Sequence, residues 1–332
     1  MKTRLLIIGG VAGGATAAAR ARRIDENAEI IVFERGEYIS FANCGLPYYI
    51  GDVIRDRNAL LVTTAPAFMT RYHIDVRTFH EVVSIDRPNK LLIVRDITTE
   101  RTYTEPYDKI ILSPGAEPVR PPIEGIELKG VYSLRNIPDS DRIKAFVDRS
   151  SPAQAVVVGG GFIGIEMVEN LVERGVKTII LEMLDQVMPP LDYEMAGLVH
   201  AHLKGKGVTL MLGDGLKSFS HENNRIMVNT TKGRSVSCDL AILSIGIRPE
   251  NSLAKDAGLE LTNNGHIVVN SSMATSDPDI FAIGDAVTVK DYIMGLPVTP
   301  RWRGQQISRH ASPQTMHWAE GPCSEAPSAR LL

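Results

Sequence analysis

Twice in this chain a short apolar run breaks into a glycine cluster, a helix pattern follows, and a second apolar run ends on a glutamate. The first instance passes from residues 5–8 through Gly9, Gly10, Val11, Ala12, Gly13 and Gly14 to a helix pattern over 15–23, then to a run over 30–33 closed by Glu34. The second passes from 155–158 through Gly159, Gly160, Gly161, Phe162, Ile163 and Gly164 to a helix pattern over 165–174, then to 177–181 and Glu182. A glycine turn alone says little. Strand, turn, helix, strand and terminal acid together predict a dinucleotide-binding unit. The glycines let the backbone approach a pyrophosphate at the helix N-terminus, and the acid accepts hydrogen bonds from ribose hydroxyls. The second unit matches G-x-G-x-x-G throughout, whereas Val11 holds the middle glycine position of the first. Glu182 suits a free 2′-hydroxyl and repels a 2′-phosphate, which predicts NADH in preference to NADPH. The competing reading of each turn is a glycine loop that merely packs helix on sheet. With all the parts in place, an α/β chain with two nucleotide-binding domains is expected.

Between the two units stands Ser40-Phe41-Ala42-Asn43-Cys44-Gly45-Leu46-Pro47-Tyr48-Tyr49. A lone cysteine is more often a small buried hydrophobe than a nucleophile. Here the flanking Asn43 and Gly45 are poor core packers, which predicts an accessible loop or helix start, where thiols ionise more readily. Cys44 is therefore read as a redox thiol. The chain has three cysteines with no metal-ligand spacing among them, the usage of a reducing compartment, so a cytoplasmic protein without a metal is expected. Cys238, beside Asp239, is expected to pack as a structural residue. A net charge of −3 carries no nucleic-acid footprint. No apolar run approaches membrane-spanning length, and the one over 5–8 stops at glycines too early for a signal peptide. Neither nucleic acid nor membrane is expected as a partner.

The rest of the chain is read more coarsely. A helix is expected over 66–72, strands over 81–85, 90–94 and 109–112, and a turn from Ser113 to Pro118. A proline-rich connector follows over 118–125. A helix over 194–206, a hairpin near Asn223 and strands over 240–245 and 267–269 come next. Asp285 lies where the run over 280–283 gives way to a Gly-Asp turn, and its plainer reading is a helix cap.

Two dinucleotide units, the second nested between parts of the first domain, and the closing Ile283-Gly284-Asp285-Ala286 resemble the pyridine nucleotide-disulfide oxidoreductases over residues 1–300. The run from Ser40 to Tyr48 is similar to the single-cysteine branch, which contains coenzyme A-disulfide reductases and NADH-dependent persulfide or polysulfide reductases. No partner cysteine stands at the spacing of the paired-cysteine branch. The resemblance implies two Rossmann-like FAD/NAD(P)-binding domains, the second inserted into the first. The FAD-binding domain would cover 1–117 and 267–300, and the NAD(P)H-binding domain 151–266, with a connector over 118–150. FAD would be held by Gly9, Gly10, Gly13, Gly14, Glu34, Val83, Ser113 and Gly115, with Asp285 on the ribityl chain. NADH, with NADPH as the alternative, would be held by Gly159, Gly161, Gly164 and Glu182, with Gly246 near the nicotinamide. The implied activity passes hydride from NADH to FAD and electrons on to Cys44, which attacks a coenzyme A-linked disulfide or persulfide. Ser40 and Asn43 would orient the substrate. Thr16, Arg20 and Arg23 would bind it, Arg23 matching a basic position that helps hold coenzyme A phosphates. On physical grounds alone these arginines are equally a solvated helix face. The alternatives are an NADH oxidase or peroxidase, with Cys44 cycling through a sulfenic acid, and a weakly active nucleotide-binding fragment.

The resemblance breaks near Pro300. The family continues with a Pro-Leu-Ala-Gly-Pro-Ala-Asn segment and a C-terminal dimerisation domain, through which the partner subunit of a homodimer supplies an active-site tyrosine. Here Arg301-Trp302-Arg303-Gly304-Gln305-Gln306-Ile307 stands instead. One set of codons for Trp302 to Ile307, TGG CGG GGC CAG CAA AT, preceded by C and read one base earlier, would encode Leu-Ala-Gly-Pro-Ala-Asn. Codons for Ser312 to Met316 yield Ala-Ala-Asp-Asn in the same frame. Residues 301–332 thus read as an out-of-frame, disordered tail without the dimerisation domain, in which Cys323, His310, His317 and Trp318 are incidental. Sequencing the DNA checks this: codons incompatible with those two runs refute it.

Overall fold

The computed structural model describes residues 2–290 and the strand Pro297–Val298; the tail read above over 301–332 lies outside the described residues. The α-helices among the described residues are α1 (Ala12–Ile24), α2 (Leu46–Ile50), α3 (Ala65–Tyr72), α4 (Ile137–Ser150), α5 (Phe162–Glu173), α6 (Tyr193–Gly205) and α7 (Ser252–Asp256). None of them is long and apolar enough to cross a membrane. The chain divides into two units. The first contains the residues through Phe41, Thr63–Ala116 and the chain from Pro249; the second contains Ala42–Val62 and Glu117–Arg248.

In the first unit, five parallel strands lie in the order Ile280–Ala282, Lys109–Leu112, Arg4–Ile8, Glu29–Glu34, Asp75–Thr78. Both faces of this sheet are covered, which is why its central strands read as unbroken apolar runs and do not alternate. Leu5, Ile7, Ile30 and Val32 pack with the alanines of α1 and with Phe68 of α3. Leu6, Ile8, Ile31 and Phe33 face the other way, toward Val82, Leu92 and Val94 of a three-stranded antiparallel meander, His80–Asp86, Leu91–Asp96 and Arg101–Pro106.

The second unit repeats the plan. Its parallel order is Thr209–Met211, Lys177–Leu181, Gln154–Val158, Leu240–Leu243, Val131–Ser133. A meander of Leu216–Glu222, Arg225–Thr230 and Ser235–Cys238 again precedes, in chain order, a strand that pairs with the central one, here Leu240–Leu243. Val156, Val158, Leu181 and Ala241 pack against Phe219, Ile226 and Val228 of that meander. Asn223 and Asn224, both left-handed at φ 49 and 60, form the hairpin tip the sequence places there. Cys238 is fully buried, and burial first, then Asp239, pushes its thiol up to about 12. It packs as a structural residue, as expected.

Helix α4 had no counterpart in the sequence reading. Its start is nonetheless legible in hindsight. The Asn136 side chain accepts from the Asp139 amide, Asp139 reaches back to the Asn136 amide, and Pro138 occupies the first turn.

Candidate functional site

Each parallel sheet presents a glycine turn at the C-terminal edge of its central strand. In the first unit, Gly9 has φ +96, and a side chain there would strike the Ser113 carbonyl. A Cβ on Gly14 would strike the Gly9 carbonyl, so the missing side chain lets α1 approach the strand. A Cβ on Gly13 would meet Ser113 Oγ and Ile283. Val11 occupies the N-cap of α1 at φ −81, outside the left-handed region that favours glycine. Glu34 accepts from the Gly10 amide at 2.8 Å and from the Gly36 amide at 2.8 Å, so its carboxylate lies on the turn. Ser113 follows the fourth strand, its amide donating to the Ile8 carbonyl. Gly115 has φ +74, and a Cβ there would meet nothing within 4 Å. Asp285 sits in the short turn Gly284–Ala286, and Ile283 donates to the Leu112 carbonyl at 2.9 Å. Gly9, Gly10, Gly13, Gly14, Glu34, Ser113 and Asp285 thus gather at one edge of one sheet. Val83 lies in the meander at a bulge between Val82 and Ser84 and is exposed.

The second turn has the same anatomy. Gly159 has φ +105 against the Ser244 carbonyl, and Gly164 lies against the Gly159 carbonyl. Glu182 accepts from the Gly160 amide at 2.6 Å and from the Leu184 amide at 2.9 Å. Gly161 differs from its neighbours. Its φ of −78 needs no glycine, and a side chain placed there would meet nothing within 4 Å. The space is kept open beside the N-terminus of α5. Ser244, whose hydroxyl donates to the Val158 or Gly159 carbonyl, and Gly246 at φ +116 repeat the Ser113–Gly115 pair. Sequence reading missed Ser244; the signal was this Ser-x-Gly recurrence after Lys109–Leu112 and Leu240–Leu243.

Neither α1 nor α5 has a side-chain cap on its first amides. Those donors, unpaired within a helix, suit an anion. Glycine turns, uncapped amides and a carboxylate at each strand end match the donor and acceptor set of a dinucleotide, so the residues present fit a group such as FAD or NAD(P)H in each cradle.

Cys44 belongs to the second unit. It is exposed in the one-turn helix Asn43–Gly45 that runs directly into α2. The expectation that its neighbours pack poorly needs correction. Gly45 is buried against Leu60 and Ile54, and Asn43 Oδ1 is enclosed without a hydrogen-bond partner. The turn is itself packed, and its sulfur faces out. Burial, then Glu169, Glu166 and Cys44, hold the Tyr48 phenol above its ordinary value. Ser40 belongs to the first unit, left-handed at φ 45, its amide donating to the Gly10 carbonyl at 3.1 Å. Along α1, the Thr16 hydroxyl donates to the Ala12 carbonyl, Arg20 Nε is enclosed without a partner, and Arg23 is exposed.

The model of the pyridine nucleotide-disulphide oxidoreductases, a family that binds FAD and NAD(P)H, matches residues 3–319. The reduced CoADR-RHD of Bacillus anthracis is 50% identical, with a TM-score of 0.91 over 94% of this chain and 56% of that one. The NAD-dependent persulfide reductase of A. fulgidus is 32% identical, with a TM-score of 0.91 over 98% of this chain and 60% of its own. A coenzyme A disulfide reductase of Staphylococcus epidermidis is 35% identical over 294 residues, which are 89% of this chain and 66% of that protein. The chain therefore spans between about half and two-thirds of the length of these relatives. With both cradles, the nested order of the units and the exposed Cys44 in view, the chain belongs to the pyridine nucleotide-disulphide oxidoreductase family of enzymes.

Proposed function

We propose that this chain is an FAD-dependent reductase that takes electrons from NADH and delivers them to the sulfur of a coenzyme A-linked disulfide or persulfide at Cys44. The observation that carries the reading is an exposed cysteine, at the head of a short helix, in a chain with two glycine cradles whose helices begin uncapped. FAD bound in the first cradle would supply a two-electron carrier between NADH and sulfur.

The chain's own residues do the rest. The first amides of α1 and α5 take the two pyrophosphates, and Glu34 and Glu182 accept from ribose hydroxyls with the lone pairs their backbone partners leave free. Cys44, as thiolate, attacks one sulfur of the substrate. The substrate S–S bond breaks, one thiolate leaves and takes a proton from water, and a mixed disulfide remains on Cys44. Two electrons and a proton then release the second thiol and restore Cys44. Arg20 and Arg23, with Thr16, form the face of α1 that would hold coenzyme A phosphates, while Ser40 and Asn43 flank the reacting sulfur in sequence.

A visible spectrum before and after anaerobic NADH is the first test. A bound flavin that bleaches supports both cradles; a protein still colourless after added FAD refutes the flavin reading. Cys44→Ser should abolish NADH-dependent reduction of coenzyme A disulfide while slow oxygen turnover survives. Disulfide reduction that persists in Cys44→Ser would sink the mechanism.

A further inference from the structure

Helix α2 has five residues, too few to stand unaided in water. Its far end is gripped by α5 and α4. Arg174, the residue that closes α5, donates from Nη1 to the Ile50 carbonyl at 3.0 Å. The same guanidinium pairs with Asp52 at 3.3 Å and with Asp148 of α4 at 2.6 Å. Lys144 of α4 pairs with Asp52, and with Asp148 at 3.2 Å, and its ammonium lies 5.4 Å from the centre of the Tyr49 ring. Asn170, buried within α5, fills the space that a side chain on Gly51 would need. The near end of α2 is the turn that carries Cys44. Helix α5 therefore opens at the second glycine cradle and ends, about 18 Å further on, in a grip on the cysteine helix.

We propose that Arg174 is a positioning residue for Cys44: by capping α2 and drawing Asp52 and Asp148 around its end, it fixes the cysteine turn on the unit that holds the second cradle. The inference rests on Cys44 being the redox sulfur, as read above. A forked guanidinium suits this task, since it meets a carbonyl and two carboxylates at once, which an ammonium cannot do with the same geometry.

Hydrogen exchange on the full chain tests it, using Arg174→Gln and Arg174→Lys. The amides of Gly51, Asp52, Val53 and Ile54 bond back to the carbonyls of Pro47, Tyr48 and Tyr49, so they report on the end of α2. Exchange over 48–54 should quicken about tenfold or more in Arg174→Gln and recover in part in Arg174→Lys. Exchange in Gln154–Val158 and Leu240–Leu243 should stay at the wild-type rate. With NADH and coenzyme A disulfide, kcat should fall about tenfold in Arg174→Gln, a loss of one or two charge-assisted bonds. The KM for NADH and the rate at which NADH bleaches the flavin should not move. Unchanged exchange over 48–54, acceleration spread evenly through the second unit, or an equal fall in both half-reactions would each overturn the proposal. Exchange needs neither flavin nor turnover. Failure of the wider reading would show instead in the spectrum and in Cys44→Ser.

Discussion

Gly14 and Gly161 both belong to the glycine turns, yet their missing side chains matter for different reasons. A methyl on Gly14 would enter the Gly9 carbonyl, backbone against backbone, whereas a methyl on Gly161 would enter empty space. Gly14→Ala should therefore lower the yield of folded protein. Gly161→Ala should leave stability within about 0.5 kcal/mol of wild type. The same change should weaken NADH binding about tenfold or more by displacing a charge-assisted contact. Thermal melting and fluorescence titration with NADH separate the two outcomes; a Gly161→Ala protein that binds NADH normally would remove that residue from the site. Glu182 holds the Gly160 and Leu184 amides, and on the proposed reading it would also select against a 2′-phosphate. Glu182→Gln keeps an acceptor and drops the charge, so the preference for NADH over NADPH should shrink about tenfold, from relief of repulsion. Equal titrations of both coenzymes check this.

The segment after Glu182 brings pH into the second cradle. Met188 donates to the Gly160 carbonyl at 2.8 Å, Val187 packs against Gly160, and the Val187 amide donates to His200 Nε2 of α6 at 3.1 Å. That imidazole must be neutral to accept. Burial, then Lys204, holds its pKa below the ordinary value. The folded state thus binds fewer protons than the unfolded one, so the stabilisation is fully present above about pH 6.5 and is lost as pH falls through the lower folded value. Melting curves between pH 8 and 5 should show a loss at the acid end that His200→Gln does not share. At the same scale, Asn136→Ala should destabilise α4 by about 1 kcal/mol through loss of its cap, measured by denaturant unfolding. These elements also mark the limit of what the sequence makes legible. The two glycine turns, their strands and the hairpin at Asn223 are written in local period and turn chemistry. The grip of Arg174 on Ile50 joins residues 124 apart in the chain, and no local pattern carries it. Helix α4 was local but sits behind a proline-rich stretch that reads as a connector.

The two units repeat one plan: a five-stranded parallel sheet, a glycine turn on its central strand, and a meander leading into a strand beside the central one that a Ser-x-Gly follows. Each has its own core, so each should answer to its own ligand. In hydrogen exchange, FAD alone should protect residues around Gly9–Gly14 and Ser113, and NADH alone those around Gly159–Gly164; reversed or indiscriminate protection would refute the assignment of cradles. The chain also crosses between units out of order, for Ala42–Val62 belongs with residues 117–248, and the first sheet draws an edge strand from Ile280–Ala282. On a ribosome this order has a consequence. The cysteine helix emerges about 130 residues before Arg174, an interval on the order of ten seconds of synthesis. Throughout it, the thiol travels on a segment that lacks its hold from Arg174, and the first sheet stays open along one edge for longer still. The nascent protein, more than the finished one, is the form most vulnerable to oxidants and to pairing with the wrong strand.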